Sequence, residues 1–231
     1  MKLALRELRR RPGRFTTAGV ILVLIALLLM FLGGLLDGLI SSSTGALRVQ
    51  PGQQIVFSEN SRDSLTRSRI EPEVRAEVTE AAGDAAVGGL GSVQLGGRLE
   101  GRDTRDLVPV VLFGYELAPK GLPAEVPAEG EVYADNSLKA EDVEVGTEFR
   151  LGPARSLVTV IGFIDDSQYA GQGTLWGSLA TWREVQGANR PGETLGDDVV
   201  QALVIDADGA DAVSAQTIDH ATSGATNIRE P

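Results

Sequence analysis

Hydrophobic residues are concentrated in one uninterrupted run near the start of the chain. Residues Phe15 to Leu36 contain no charged side chain, and the centre of the run, Val20 to Leu32, is nearly all aliphatic. At about 1.5 Å per residue the run spans roughly 33 Å, close to the ~30 Å of a bilayer's hydrocarbon core. Asp37 ends the charge-free stretch. The pattern predicts a transmembrane helix, which we assign to residues 15–40.

Two other interpretations of this run are weaker. The apolar part of a cleaved signal peptide is usually about 7–15 residues long, and no clear Ala-x-Ala cleavage motif follows in Leu35–Val49. A buried core helix is less favoured still, because a 22-residue apolar run with no polar face would need a large protein around it. An uncleaved membrane anchor is therefore favoured.

The fourteen residues before the run are strongly basic. Leucines alternate there with Lys and Arg, and Pro12-Gly13 interrupts the pattern. The pattern predicts an amphipathic elbow on the inner leaflet. A plain stretch of positive charge without a helix would explain the same residues. Because basic residues flank only this side, the N-terminus is expected in the cytoplasm and the main domain outside. The candidate membrane-interface residues are Arg6, Arg9, Arg10, Arg11 and Arg14.

The rest of the chain, residues 41–231, shows short apolar segments separated by Pro, Gly and charged residues. A helical stalk and turn are expected from Ser41 to Gln53. Strands are predicted at Gln54–Ser58, Ala86–Leu99 (a hairpin or one bulged strand), Leu107–Tyr115, Glu131–Ala134, Glu148–Leu151, Leu157–Ile164, Leu175–Leu179 and Val199–Asp206. Helices are predicted from Pro72 to a Gly83 cap, at Asn136–Ala140 capped by Asp135, at Thr181–Gly187 and at Ala210–Ala221. This mixed order predicts an α+β fold.

Charge and composition narrow the range of functions. The chain has a net charge of -11 and no cysteine. Disulfides, thiol catalysis and zinc–thiolate sites are therefore excluded. Beyond residue 14 the acids outnumber the bases by about two to one, and no cluster of Lys and Arg is present. Nucleic acid is not an expected partner, because binding its phosphates needs such clusters.

Candidate chemistry is sparse. His220 is the single histidine, and no serine lies in a nucleophile-elbow motif. The stretch from Asp206 to Asp211 resembles the start of a calcium loop, but Thr217 stands where the motif needs a Glu, so a helix cap at Asp211 is favoured. No Walker A motif is present. We therefore expect no catalytic residues, cofactor or metal, and hence no enzyme.

Two residue pairs are candidates for packing contacts. Gly34 and Gly38 are four residues apart in the span, a spacing that lets helices approach closely, although local flexibility explains it equally well. Trp176 and Trp182 could form a hydrophobic contact with lipid or a ligand, while packing in the core is the simpler interpretation.

Several segments together resemble the FtsX/MacB-type permeases of ABC transporters. The N-terminal part of the resemblance lies in Leu5–Phe15 and Phe31–Leu39. The external part lies in Tyr133–Lys139, Val145–Phe149, Thr159–Phe163 and Thr174–Trp182, which are similar to the MacB-like periplasmic core domain. The resemblance implies two small mixed subdomains on one anchoring helix.

The resemblance also implies a function and partners. The chain would be a membrane subunit of a bacterial export or mechanotransmission complex that acts on lipid, lipoprotein or other hydrophobic cargo. It would work with a separate ABC ATP-binding subunit, a second permease copy and membrane lipids, at the plasma membrane. Permeases of this type contain further spans, so the sequence would be part of a longer permease, a truncated product, or a component that acts with a second chain. The alternative is a membrane-anchored extracytoplasmic binding or scaffold domain without transport activity.

Overall fold

The computed structural model describes residues 12–50, 54–62, 64–100, 106–192, 196, 198–206, 222 and 226–229. The chain divides into two compact units, Met1–Ser41 and Ser42–Pro231. The α+β class with one N-terminal apolar helix is confirmed. Ser42–Pro231 forms one compact unit, here called the sheet domain. Its division into two small subdomains, which the resemblance implied, stays a prediction.

Helix α1 runs from Pro12 to Arg48 and is long and apolar enough to cross a membrane. It begins at a proline, whose missing N–H is not needed in the first helical turn. It is longer than the predicted span, because the helix continues through the segment expected to be a stalk. The predicted elbow and its residues Arg6, Arg9, Arg10 and Arg11 lie outside the described residues, as does the side chain of Arg14.

Within the described residues, nine strands form one mixed sheet. Their bounds are β1 Gln54–Ser58, β2 Ala86–Leu99, β3 Val108–Tyr115, β4 Glu131–Asp135, β5 Glu148–Leu151, β6 Ser156–Ile164, β7 Gly173–Ser178, β8 Ala202–Asp206 and β9 Thr226–Arg229. The order is β3-β7-β4-β6-β5-β2-β8-β1-β9, and β3 also pairs with β2, so strands β2 to β7 close into a ring. The β3–β7 and β4–β6 pairs are parallel.

Helices α2 (Pro72–Ala82) and α3 (Leu179–Asn189) follow the predicted signals. Gly83 ends α2 with a positive φ of 62°, a conformation that favours glycine. The Ser178 hydroxyl accepts a hydrogen bond from the Thr181 N–H at the start of α3. Short 3-10 turns lie at Glu59–Ser61, Leu65–Arg67 and Asn136–Glu141.

The sheet has a hydrophobic cluster on each face. Alternate residues of β3 show the division: Val110 and Leu112 belong to the cluster that includes Trp182 of α3. Val111 and Phe113 belong to the second cluster, which includes residues from the end of α1. Because successive strand residues point to opposite faces, one continuous apolar strand serves both clusters.

Some predicted elements differ in detail. Ala86–Leu99 is one long strand, and Pro109 lies at the start of β3. The strand predicted from Val199 begins at Ala202. Strand β9 was not predicted, and the predicted helix Ala210–Ala221 lies outside the described residues.

Candidate functional site

The last turns of α1, from Ser42 onward, belong to the sheet domain and are bound by the loop 165–172. Three backbone hydrogen bonds connect them: Gly171 N–H to Ser42 O at 3.0 Å, Ala170 N–H to Ser43 O at 3.2 Å, and Ala46 N–H to Gln168 O at 3.0 Å. Backbone bonds of this kind do not depend on side-chain rotamers. The loop therefore holds the helix end by its main chain.

Gly45 allows this close approach. A β-carbon added at Gly45 would lie 3.0 Å or less from backbone atoms of Asp166 and Gln168. Backbone atoms cannot rotate away as a side chain can, so any larger residue would push the loop off the helix. The loop also contains two non-glycine residues with positive φ, Asp166 at 52° and Ala170 at 51°. Each such residue costs on the order of 1 kcal/mol, so surrounding contacts must hold the loop in this shape.

A buried carboxylate makes some of the contacts that keep the loop 165–172 in this shape. Asp135, at the end of β4, is 2% exposed. Its Oδ2 accepts hydrogen bonds from the Ser167 N–H at 2.8 Å and the Ser167 hydroxyl at 2.7 Å. Its Oδ1 accepts a hydrogen bond from the Ser137 N–H at 2.9 Å, the cap predicted from the sequence. The same side chain thus ends β4 and fixes the loop.

The network continues into β7. The hydroxyls of Ser167 and Thr174 are 2.8 Å apart, and Trp176 Nε1–H donates to the Thr174 hydroxyl oxygen at 2.8 Å. Since Ser167 gives its hydroxyl proton to Asp135, Thr174 must donate to Ser167. Every donor in this chain of hydrogen bonds therefore points toward the carboxylate. We call Asp135, Ser167, Thr174 and Trp176 the buried network.

Aromatic packing adds a second connection between the loop and the sheet. Phe113 stacks on Trp176 with ring centroids 4.5 Å apart, and Tyr169 of the loop contacts Phe113 edge-on at 5.5 Å. Ala46 at the end of α1 is fully buried in the same cluster. Burial raises the pKa of Tyr169 above its ordinary value. The loop and the helix end therefore share one apolar core.

Tyr115 lies beside this aromatic group and contacts Trp176, with ring centroids 6.2 Å apart. Its hydroxyl is buried without a hydrogen-bond partner among the described residues. Burial raises its pKa, and the neighbouring Tyr133 raises it further. Tyr115 is therefore uncharged at physiological pH.

The residues predicted as hydrophobic contacts lie in the interior. Trp176 and Trp182 are both fully buried, Trp176 in the buried network and Trp182 under α3. Neither side chain offers a surface to lipid or a ligand in this structure. Gly34 and Gly38 have open space on their side of α1. Their role in helix packing stays a prediction.

The end of α1 from Ser42 onward, the loop 165–172 and the buried network together form what we call the junction. The sequence pattern indicates Asp135 only as a cap and does not distinguish Gly45, Ser167 or Thr174. The one sequence signal for these residues is a small or polar residue within an apolar segment, as at Thr174 before Leu175. Among the described residues no group of three or more His, Asp or Glu side chains could hold a metal ion. His220 lies outside the described residues.

The fold is similar to solved periplasmic and extracellular domains. The periplasmic region of MacB from Actinobacillus actinomycetemcomitans matches with a TM-score of 0.52 and 12% identity, over 80% of this chain and 91% of that one. The extracellular domain of the noncanonic ABC-type transporter YknZ from Gram-positive bacteria matches with a TM-score of 0.47 and 14% identity, over 77% of this chain and 100% of that one. No protein-family model matches the sequence.

At these identities the likeness is one of fold, and function has to be argued from the site. The MacB match covers most of both chains. The sheet domain therefore has the fold of a MacB-type periplasmic domain, as the sequence resemblance implied.

Proposed function

We propose that this chain is the membrane subunit, or a part of the membrane subunit, of an ABC-type export or mechanotransmission complex. A separate ATP-binding subunit would hydrolyse the ATP, and the cargo would be lipid, lipoprotein or another hydrophobic molecule. One observation carries the proposal: a membrane-length helix ends inside a domain with the MacB-type periplasmic fold.

The junction supports a mechanical role for the end of α1. Gly45 lets the loop 165–172 lie directly on the helix, and the buried network connects that loop to β4 and β7. Because interiors are closely packed and deform little, a displacement of Ser42–Arg48 would have to move the loop as well. A flexible tether would need none of these contacts.

The basic N-terminal segment supports the proposed orientation. Arg6, Arg9, Arg10, Arg11 and Arg14 would lie at the cytoplasmic face of the plasma membrane and contact its anionic lipids. The sheet domain would lie outside. Gly34 and Gly38 would face another helix, in a second copy of the chain or a related permease.

Copurification tests the proposed complex. The full-length chain, extracted from its native membrane in a mild detergent, is expected to recover an ATP-binding subunit and to carry ATPase activity with it. Recovery of extracytoplasmic proteins alone would contradict the proposal and favour a membrane-anchored binding domain.

Single cysteines test the orientation, because the natural chain has none. Val145 is 64% exposed on the sheet domain, so a Val145→Cys variant offers an accessible thiol. A membrane-impermeant maleimide applied to intact cells with a permeable outer layer should label Val145→Cys. It should label Lys2→Cys only after the inner membrane is opened. The reverse pattern would overturn the orientation.

A further inference from the structure

The loop 165–172 ends in a tight turn that contacts the last turns of α1. Tyr169 and Gln172 exchange two backbone hydrogen bonds, each 3.0 Å long. The two residues between them, Ala170 and Gly171, both have positive φ, 51° and 73°. Two positive φ values in a two-residue connection are typical of a type I′ hairpin turn. We call Tyr169–Gln172 the tip.

The tip and the residue before it supply partners to groups that belong to a helical hydrogen bond. In an α-helix the Ala46 N–H would donate to the Ser42 carbonyl, four residues earlier. Here the Ala46 N–H donates to Gln168 O, and the Ser42 carbonyl accepts from the Gly171 N–H, each at 3.0 Å. Because an N–H has a single hydrogen, Gln168 O and Ser42 O compete for it. The loop therefore offers a second partner to both groups of one helical bond.

We propose that this arrangement is a latch with two states. In the engaged state, which the structure shows, Gln168 and Gly171 bind Ala46 and Ser42. In the released state the tip moves away, and the Ala46 N–H and the Ser42 carbonyl bind each other within α1. Neither group is then left without a partner in either state, which is the condition for a helix end to exchange its contacts at low free-energy cost.

The groups that the loop gives up on release are already close to solvent. Ala170 and Gly171 are exposed, so their N–H groups can bind water once the tip has moved. The positive φ of Ala170 is unfavourable for a residue other than glycine, and the engaged contacts hold it in that shape. Release therefore exposes few polar groups and allows Ala170 to leave a strained conformation.

Other contacts favour the engaged state and fix the base of the loop. Tyr169 packs edge-on against Phe113 with ring centroids 5.5 Å apart, a contact that opposes release. Ser167, fully buried before the tip, is bound to Asp135 by its N–H and its hydroxyl. These two bonds remain in both states. The tip can thus move about a base that stays in place.

The latch determines whether a movement of the helix end reaches the sheet through this loop. In the engaged state Ser42–Arg48 and the loop move together, and in the released state the tip no longer follows the helix. This use of the latch rests on the mechanical role proposed above, whereas the exchange of partners does not. A chain can recover an ATP-binding subunit without having the latch, or have the latch without recovering that subunit, so the two proposals fail separately.

Amide hydrogen exchange at single-residue resolution tests the latch in the full chain, held in nanodiscs of zwitterionic lipid. Release exposes the Gly171 N–H to water but returns the Ala46 N–H to the helix. After correction for intrinsic rates, the Gly171 amide should therefore exchange at least about tenfold faster than the Ala46 amide.

Two exposed positions of the tip should shift the latch in opposite directions. Ala170→Gly removes an unfavourable φ and should slow exchange at residue 171 by about threefold. Gly171→Ala introduces an unfavourable φ at a place where a β-carbon meets nothing within 4 Å, and should speed exchange there by about threefold. In both variants the rate at Ala46 should change less than the rate at residue 171, because Ala46 has a helical partner after release.

Gly146→Ala is the matched control. Gly146 lies in a separate turn with a φ of 91°, and a β-carbon there also meets nothing within 4 Å. The same strain at that turn should leave exchange at residues 46 and 171 unchanged.

Three results would overturn the latch. Equal acceleration of residues 46 and 171 in Gly171→Ala would mean that the helical bond does not form on release. Exchange of both amides only together with the core amides of β3 would mean that the tip opens only when the domain unfolds. Equal effects of Gly171→Ala and Gly146→Ala on residue 171 would mean that the change reflects the stability of the whole domain.

Discussion

At the scale of single residues, the junction depends on very few side chains. Gly45 acts through the absence of a side chain, since the loop backbone occupies the space that a β-carbon would need. Asp135 acts through its charge, which three hydrogen-bond donors satisfy in the interior. One residue sets the distance between helix and loop, and the other keeps the loop in its shape.

Replacing Gly45 with Ala should destabilise the sheet domain by about 2 kcal/mol, because backbone atoms must move to admit the methyl group. Gly187 in α3 is a matched control, because a β-carbon there meets nothing within 4 Å. Gly187→Ala should stabilise the domain by up to about 1 kcal/mol through helix propensity. Urea unfolding of both variants measures the difference, and equal effects would show that the junction is not tightly packed.

Asp135→Asn should cost about 2 kcal/mol, because the amide nitrogen cannot accept a hydrogen bond and leaves a buried donor unsatisfied. The exposed Glu125→Gln change removes the same charge and should have little effect. Hydrogen exchange gives the specific readout: the Ala46 amide, which donates to the loop, should exchange faster in Asp135→Asn. Unchanged protection of that amide would mean that the loop does not depend on the carboxylate.

Tyr115 makes stability depend on high pH. Burial raises its pKa in the folded state, whereas in the unfolded chain a tyrosine ionises near pH ~10. Its contribution to stability is complete below that pH and is lost as the pH rises toward the folded-state pKa, because only the unfolded chain then releases the proton. The free energy of unfolding should fall less steeply between about pH 9.5 and 11.5 in Tyr115→Phe than in the parent. If the free energy of unfolding falls equally steeply with pH in the parent and in Tyr115→Phe, the Tyr115 hydroxyl is in contact with solvent.

At the scale of elements, α3 is held on the sheet by Trp182. Gly91 of β2 and Gly114 of β3 pair in register, and together they leave room for this side chain. A β-carbon at Gly91 would lie within 2.5 Å of three indole atoms. Two small residues on neighbouring strands therefore determine where the helix packs.

Gly91→Ala should therefore destabilise the domain by about 2 kcal/mol and increase the exposure of Trp182. Tryptophan fluorescence in a Trp176→Phe background reports this indole alone, and its emission should shift to longer wavelength. Gly192→Ala, where a β-carbon meets nothing within 4 Å, is the matched control. An unshifted spectrum would mean that α3 adjusts without losing its packing.

Elements with strong local patterns could be predicted from the sequence, and elements that depend on distant contacts could not. The β5–β6 hairpin and α2 have clear periodicity, turns or caps, and their predicted bounds agree with the structure to within a residue. Strand β9 has one strongly apolar residue, Ile228, and forms by pairing with β1. The contact of Asp135 with Ser167 joins residues 32 apart in sequence, so local patterns showed only the cap.

At the scale of the whole molecule, the sheet domain includes the end of the apolar helix as one of its own parts. Ala46 and Gln50 are fully buried, and the Gln50 side chain donates to the Ala46 carbonyl at 2.9 Å. Lys120 N–H donates to the Val49 carbonyl at 2.6 Å, which adds a second loop to the contact. The domain boundary therefore falls within the helix.

A pair of truncated chains tests where the boundary lies. A chain that starts at Ser42 keeps the helix end and should unfold cooperatively on heating. A chain that starts at Gln53 loses the buried Ala46 and the backbone bonds to the loop 165–172. If that loss costs about 3 kcal/mol, its midpoint should be lower by roughly 6 °C or more for a domain of this size. Equal midpoints would mean that the helix end adds no stability, and a helix held so loosely could not pass a movement to the domain.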